Sequence, residues 1–155
     1  MAVVITGRYT GRLKTRVRHE QSGAEFETAA PLDNHGDGSA FSPTDLIATS
    51  LGSCILTVMA IAAEQERIPF AEASFRIEKH MKAEPRRVGA LPLVIRMPAG
   101  LSPAQRDRLE RVGLHCPVHH SLSPEVRTPV RFEYPDGTRS EHGDVAARGD
   151  SAASD

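Results

Sequence analysis

The stretch "FSPTDLIATSLGSCILTVMAIAAEQE", residues 41–66, constrains the fold more tightly than any other part of the chain. Ser42 can cap a helix, Pro43 suits the first helical position, and Asp45 stands where a capping-box carboxylate belongs. Apolar residues then recur at positions 47, 51, 54, 55, 58 and 62, the spacing of one helix face. The pattern predicts a helix from Ser42 to about Glu66, closed by Pro69, with Cys54 on its buried stripe. A helix of that length with one apolar side needs a second layer to lie against.

The flanking sequence supplies strands. Leu13, Thr15 and Val17 alternate with Lys14, Arg16 and Arg18, and "AEFETAAP" follows the turn signal "QSG". The Gly/Asp-rich "LDNHGDGSAF" reads as a loop. After the helix, "ASFRIEKHM" and "PLVIRMP" read as strands on either side of a turn, "AEPRRVGAL". "SPAQRDRLERV" repeats the Ser-Pro helix start and delivers Cys116 just beyond the helix end. "VHHSLSPE" reads as a short turn or helical piece, and "TPVRFEYPDG" as a last strand. The fold class is α+β, with two helices able to pack together. Residues 1–137 form a single domain on this reading, and residues 138–155, small and polar, are expected to be a disordered tail.

Composition excludes several functions. A formal net charge of −1 gives no clustered basic charge for nucleic acid. The start, "MAVVITGRYTG", lacks the basic and apolar regions of a secretory signal, and the longest apolar stretch, near residues 54–63, is short for a bilayer. A cytoplasmic location without membrane contact is therefore expected. There thiols stay reduced, and the chain's two cysteines are either inert or chemical.

If the two predicted helices pack face to face, Cys54 and Cys116 can meet although 62 positions separate them (116 minus 54). Such a pair permits redox chemistry. Two other readings stay open on spacing alone. Both thiols can be small core residues, or Cys116 can join His115, His119 and His120 in a metal half-site that lacks a second Cys/His pair. Ser50 and Ser53 lie in a helix interior with no nucleophile-elbow glycines, so a serine hydrolase is a weaker reading still.

Taken together, "FSPTDLIATSLGSC" and "CPVHHSL" resemble the two cysteine motifs of the OsmC/Ohr family of thiol-dependent peroxidases, and the likeness runs from about Tyr9 to Tyr134. The resemblance implies the OsmC-like fold: antiparallel sheets packed around two central helices in an intertwined homodimer. It implies reduction of organic hydroperoxides in oxidative-stress defence, with Cys54 as the peroxidatic residue and a Cys54–Cys116 disulfide as the product of resolution. A small dithiol or a lipoyl-bearing protein would reopen that disulfide. No metal, flavin or other cofactor is implied.

The motif also departs from the family. Family peroxidases carry Glu directly after the Pro that precedes the first cysteine helix, whereas this chain has Thr44 there and its acid at Asp45. The arginine that polarises the peroxide in the family has no clear counterpart. Arg12, Arg16 and Arg18 lie early in the chain, and Arg86 and Arg87 of "EPRRVG" are possible substitutes, of which Arg86 is taken as the catalytic candidate beside Asp45. Asp45 and Cys54 are nine positions apart. That separation corresponds to about 900° of helical rotation and about 13 Å of rise, so one intact helix points them to opposite faces. A capping role for Asp45 and a turn contact for His119 are the simpler expectations. Phe41, Met59, Phe70 and Met81 are candidates for an apolar substrate mouth. The alternatives to the enzyme are a catalytically weak binding or structural protein of the same fold, or a Cys/His metal-binding protein.

Overall fold

The computed structural model describes residues 1–144. The region expected as one domain forms two compact units, Met1–Ile47 and a second beginning at Ala48.

In the first unit, β1 (Ile5–Gly11), β2 (Lys14–His19) and β3 (Glu25–Ala29) form an antiparallel sheet in chain order. The alternation read from the sequence sorts its two faces. Lys14, Arg16 and Arg18 lie on the polar face, where Arg18 reaches Glu25 at 2.9 Å and Lys14 reaches Glu27 at 3.7 Å. On the other face the register pairs Val17 with Phe26, and Ile5 and Tyr9 stand two and four positions apart from Gly7 and Ile5 respectively. Arg12 and Leu13 at the β1–β2 turn take left-handed φ values of 50° and 59°, as the twist of a tight hairpin requires. A single 3-10 turn, Leu32–Asn34, occupies the Gly/Asp-rich loop.

Helix α1 (Pro43–Glu66) starts as its sequence predicts. Ser42 Oγ accepts from the Asp45 amide at 3.1 Å, and Asp45 Oδ2 accepts from the Ser42 amide at 2.7 Å, a complete capping box.

The second unit holds a four-stranded sheet in the order β4-β7-β8-β9, built from β4 (Ser74–Ile77), β7 (Leu93–Arg96), β8 (Val130–Glu133) and β9 (Arg139–His142). A separate hairpin pairs β5 (His80–Lys82) with β6 (Arg87–Ala90). Its second strand lies inside the segment expected to be only a turn. Pairing is antiparallel except between β7 and β8, which run parallel. A parallel pair needs a crossover, and here α2 (Pro103–Leu114) and α3 (Pro117–Ser121) supply it. Ser102 and Gln105 close a second capping box on α2.

Leu51, Ile55 and Met59 of α1, Leu109 of α2, Leu93 and Ile95 of β7, and Val130 and Phe132 of β8 are fully buried in one cluster. The helix meets its neighbours at glycines. A Cβ on Gly52 would lie 2.4 Å from the Phe75 ring, and one on Gly113 would lie 2.8 Å from Met59 Sδ. Gly113 is therefore the point where α2 can approach α1. The buried stripe of α1 is Ala48, Leu51, Gly52, Ile55, Met59, Ala62 and Ala63. It is rotated from the predicted stripe, so that Ile47 is exposed and Cys54 and Val58 sit at its half-buried edge. By length and composition alone α1 could span a bilayer, more than the shorter stretch read from the sequence implied. Its buried stripe packs into this cluster, as the inner face of a core helix does.

The expected disordered tail needs correction: Arg139–His142 form β9 at the sheet edge. The strand is held by polar contacts, since Ser140 Oγ donates to Glu110 Oε1 at 2.6 Å and His142 Nε2 lies 2.9 Å from Glu110 Oε2. Residues 145–155 of the predicted tail lie outside the described residues.

Candidate active site

The approach of α2 to α1 at Gly113 has a direct consequence for sulfur. Cys54 lies one residue before Ile55, which also borders Gly113, and Cys116 lies three residues after Gly113. Both cysteines are free, and Cys54 lies close enough to Cys116 to act on the proton affinity of its thiol. The structure thus brings these two predicted residues together within the second unit.

Their surroundings differ. Cys116 is fully buried, whereas Cys54 is half-buried at the edge of the α1 stripe, the more accessible sulfur of the two. Burial pushes the Cys116 thiol up to about 11, and the adjoining Cys54 acts in the same direction. The backbone N–H groups of His119 and Val118 oppose this by stabilising a Cys116 thiolate. Local sequence explains their position. Cys116 takes the N-cap place of α3 with extended backbone (φ −71°, ψ 147°), and Pro117 opens the helix. Its sulfur accepts from the His119 amide at 3.4 Å, as a serine oxygen does at other helix starts.

The other predicted residues lie on several different elements. Asp45 is taken up by the α1 cap. Arg86 is exposed on the turn between β5 and β6, and the neighbouring Arg87 pairs with Glu125 at 3.2 Å. Among the groups that shift Cys116 most, none is a cation. Met59 is core rather than substrate mouth, Phe70 and Met81 are half-buried against the same cluster, and Phe41 is exposed in the first unit. A cavity of about 290 Å³ opens at the ends of β7, β8 and β9, bordered by Val94, Arg131 and His142, and it includes neither cysteine.

His119 does more than the turn contact expected of it. It is 8% exposed, with Nδ1 at 3.0 Å from the Leu114 carbonyl oxygen and Nε2 at 2.7 Å from Thr128 Oγ1. With both ring nitrogens occupied, it has none left for a metal ion. No group of three His, Cys, Asp or Glu suited to a metal ion occurs among the described residues. Thr128 escaped sequence reasoning because nothing local in "RTPV" marks a hydroxyl bound to a ring nine positions earlier.

A protein with this α+β arrangement and a facing pair of thiols falls into a recognisable class. The family model described as OsmC-like protein matches residues 36–131, and the chain belongs to that family. Among solved structures, a Psychrobacter arcticus protein provisionally named for osmotic stress induction and the detoxification response is 39% identical. The match covers 83% of this chain and 94% of that one, with a TM-score of 0.79. An organic hydroperoxide resistance protein OsmC from Legionella pneumophila is 19% identical over 86% of this chain and 96% of that one, with a TM-score of 0.64. An OsmC-like protein from Mycoplasma pneumoniae is 15% identical over 86% and 97% respectively, with a TM-score of 0.73. The last two matches establish the shared fold. No curated protein matches the sequence.

Proposed function

We propose that the chain is a thiol-dependent peroxidase that reduces organic hydroperoxides in stress defence. The closeness of a half-buried Cys54 to a fully buried Cys116 carries this reading. The Cys54 thiolate attacks the outer oxygen of the O–O bond. The bond breaks, the alkoxide takes a proton and leaves as an alcohol, and Cys54 becomes a sulfenic acid. The Cys116 thiolate then attacks that sulfur. An S–S bond forms, the S–O bond breaks, and hydroxide leaves with a proton as water. An external dithiol, a small molecule or a lipoyl group on a protein, reduces the disulfide and becomes oxidised itself. The names of hydroperoxide-resistance proteins with the same fold agree with this chemistry.

The working unit is a homodimer located in the cytoplasm. Ile5, Tyr9 and Phe26 of the first unit and Ile61 of α1 are large apolar side chains left exposed in the single chain, and a second copy would cover them. Asp45 and Arg86 remain the candidates for assisting Cys54.

A second reading, a binding or structural protein of the same fold, draws on Asp45 being used as a cap and Arg86 lying on an exposed turn. Thiol counting before and after addition of cumene hydroperoxide separates the two. Rapid loss of both thiols, abolished by Cys54→Ser, is expected of the peroxidase. Loss no faster than in a denatured control would favour the binding protein. If Arg86 assists, Arg86→Ala slows the oxidation step and leaves the fold intact.

A further inference from the structure

The two hydrogen bonds of the His119 ring define its tautomer. A carbonyl oxygen only accepts, so Nδ1 carries the hydrogen that reaches Leu114. In the neutral ring Nε2 is then bare, and it accepts from the Thr128 hydroxyl. Thr128 is itself fixed: it is 1% exposed and its amide donates to Asp144 Oδ1 at 2.9 Å. The preceding residue, Arg127, donates its amide to the Gly89 carbonyl and accepts from the Leu91 amide, tying this segment to β6. The His119 ring therefore spans from the end of α2 to the segment beside β6.

The backbone of the same residue serves Cys116. The His119 amide donates to Cys116 Sγ at 3.4 Å, and the Val118 amide acts on that sulfur too. Helix α3, which presents these amides, has five residues. So short a helix does not hold its shape through its own hydrogen bonds, and external anchorage must keep its amides in place.

We propose that His119 is a positioning residue for Cys116: its imidazole, clamped between Leu114 and Thr128, fixes α3 so that the His119 backbone amide stays aimed at the Cys116 sulfur. This rests on the reading of Cys116 as the resolving thiol. In the closure step the Cys116 thiolate must form inside the core and face Cys54, and both demands fall on the amides. Burial disfavours the thiolate, and the two N–H groups are what counter it. The other titratable groups around this assembly are Cys54 on α1, His120, whose ring lies 6.4 Å from that of His119, and His115, whose Nδ1 is bound at the Arg111 carbonyl. Asp144 faces it only through the Thr128 amide.

Two readouts test the proposal in the full-length chain. The first is the titration of the Cys116 thiolate by ultraviolet absorbance in a Cys54→Ser background, with the same absorbance in Cys54→Ser/Cys116→Ser subtracted. The second is the rate of disulfide closure, followed with dimedone as a trap for the sulfenic acid. Thr128→Val preserves packing while removing the hydroxyl. It is expected to raise the pH midpoint of the titration and to slow closure by about tenfold, the scale of one lost hydrogen bond near a charge. His119→Asn keeps an N–H near the Nδ1 position and is expected to retain more of the closure rate than His119→Ala. Circular dichroism reports whether each variant folds, and Thr128→Val decides if His119→Ala does not. Folded Thr128→Val and His119→Asn proteins with both readouts within about twofold of the parent would overturn the proposal. If hydroperoxide leaves the thiols of the unmodified protein untouched, the peroxidase reading fails, while the titration still decides the role of His119.

Discussion

Two identical side chains meet here under different conditions, and pH exposes the difference. Cys116 holds its proton up to about 11, against 9.0 for an ordinary thiol, because burial and the adjoining Cys54 both favour the neutral form. Between those values an unfolded chain has released a proton that the folded chain retains, so the shift contributes stability that is complete below 9.0 and is lost as pH rises towards about 11. Urea midpoints measured across that interval are expected to fall, and Cys116→Ala is expected to flatten the fall. The closure step should accelerate over the same interval as more thiolate forms. The two cysteines were visible in the sequence as chemical candidates, since they stand in two distinctive motifs. The enclosure of Cys116 and its place at the head of α3 were not, because they depend on where Gly113 lets one helix approach another. Asp45 was legible in its simpler role, for Ser-Pro-Thr-Asp contains every group of the cap it completes.

At the level of elements, α1 was predicted with nearly correct ends but with its inward face turned. The hydropathy pattern selects Ile47, Cys54 and Val58, whereas the buried face contains Ala48, Gly52 and Ala63. Small residues carry little hydropathy, yet Gly52 is what permits Phe75 to lie against the helix. The edge strand β9 was missed for a related reason. "RSEH" has no apolar alternation, and its attachment depends on a buried Glu110 that is distant in the chain. Two expectations concern these elements. Ser42→Ala and Asp45→Asn should each lower stability by about 1 kcal/mol in urea denaturation through loss of the α1 cap. A fall in oxidation rate confined to Asp45→Asn would reveal a second role for that carboxylate. Gly113→Val should destabilise the fold by about 1–3 kcal/mol as Met59 and Ile55 are displaced. Because the same contact brings the sulfurs together, that variant should also slow disulfide closure more than it slows the first oxidation.

For the whole molecule, the unburied apolar side chains predict self-association. Ile5 and Tyr9 are 64% and 67% exposed, beside Phe26 on the same sheet face, and Ile61 is 51% exposed on α1. Sedimentation is expected to find twice the 16.8 kDa chain mass, and a single-chain mass at every concentration would overturn the intertwined dimer. The α+β class and the pairing of two helices were legible because helix starts, turns and strand alternation are local signals. The parallel β7–β8 contact was not, since nothing in either strand announces which neighbour it takes. That contact and the adjoining helices bring together sulfurs 62 positions apart, so the native state presents each to the other at a local concentration no free thiol can match. A bond between them closes a loop that in the chain-entropy view favours the oxidised folded protein by about 4 kcal/mol. A monothiol that opened it would leave one cysteine beside the mixed disulfide, ready to expel the intruder and restore the link. On the peroxidase reading proposed above, turnover would therefore favour a reductant whose own second sulfur can finish the exchange first.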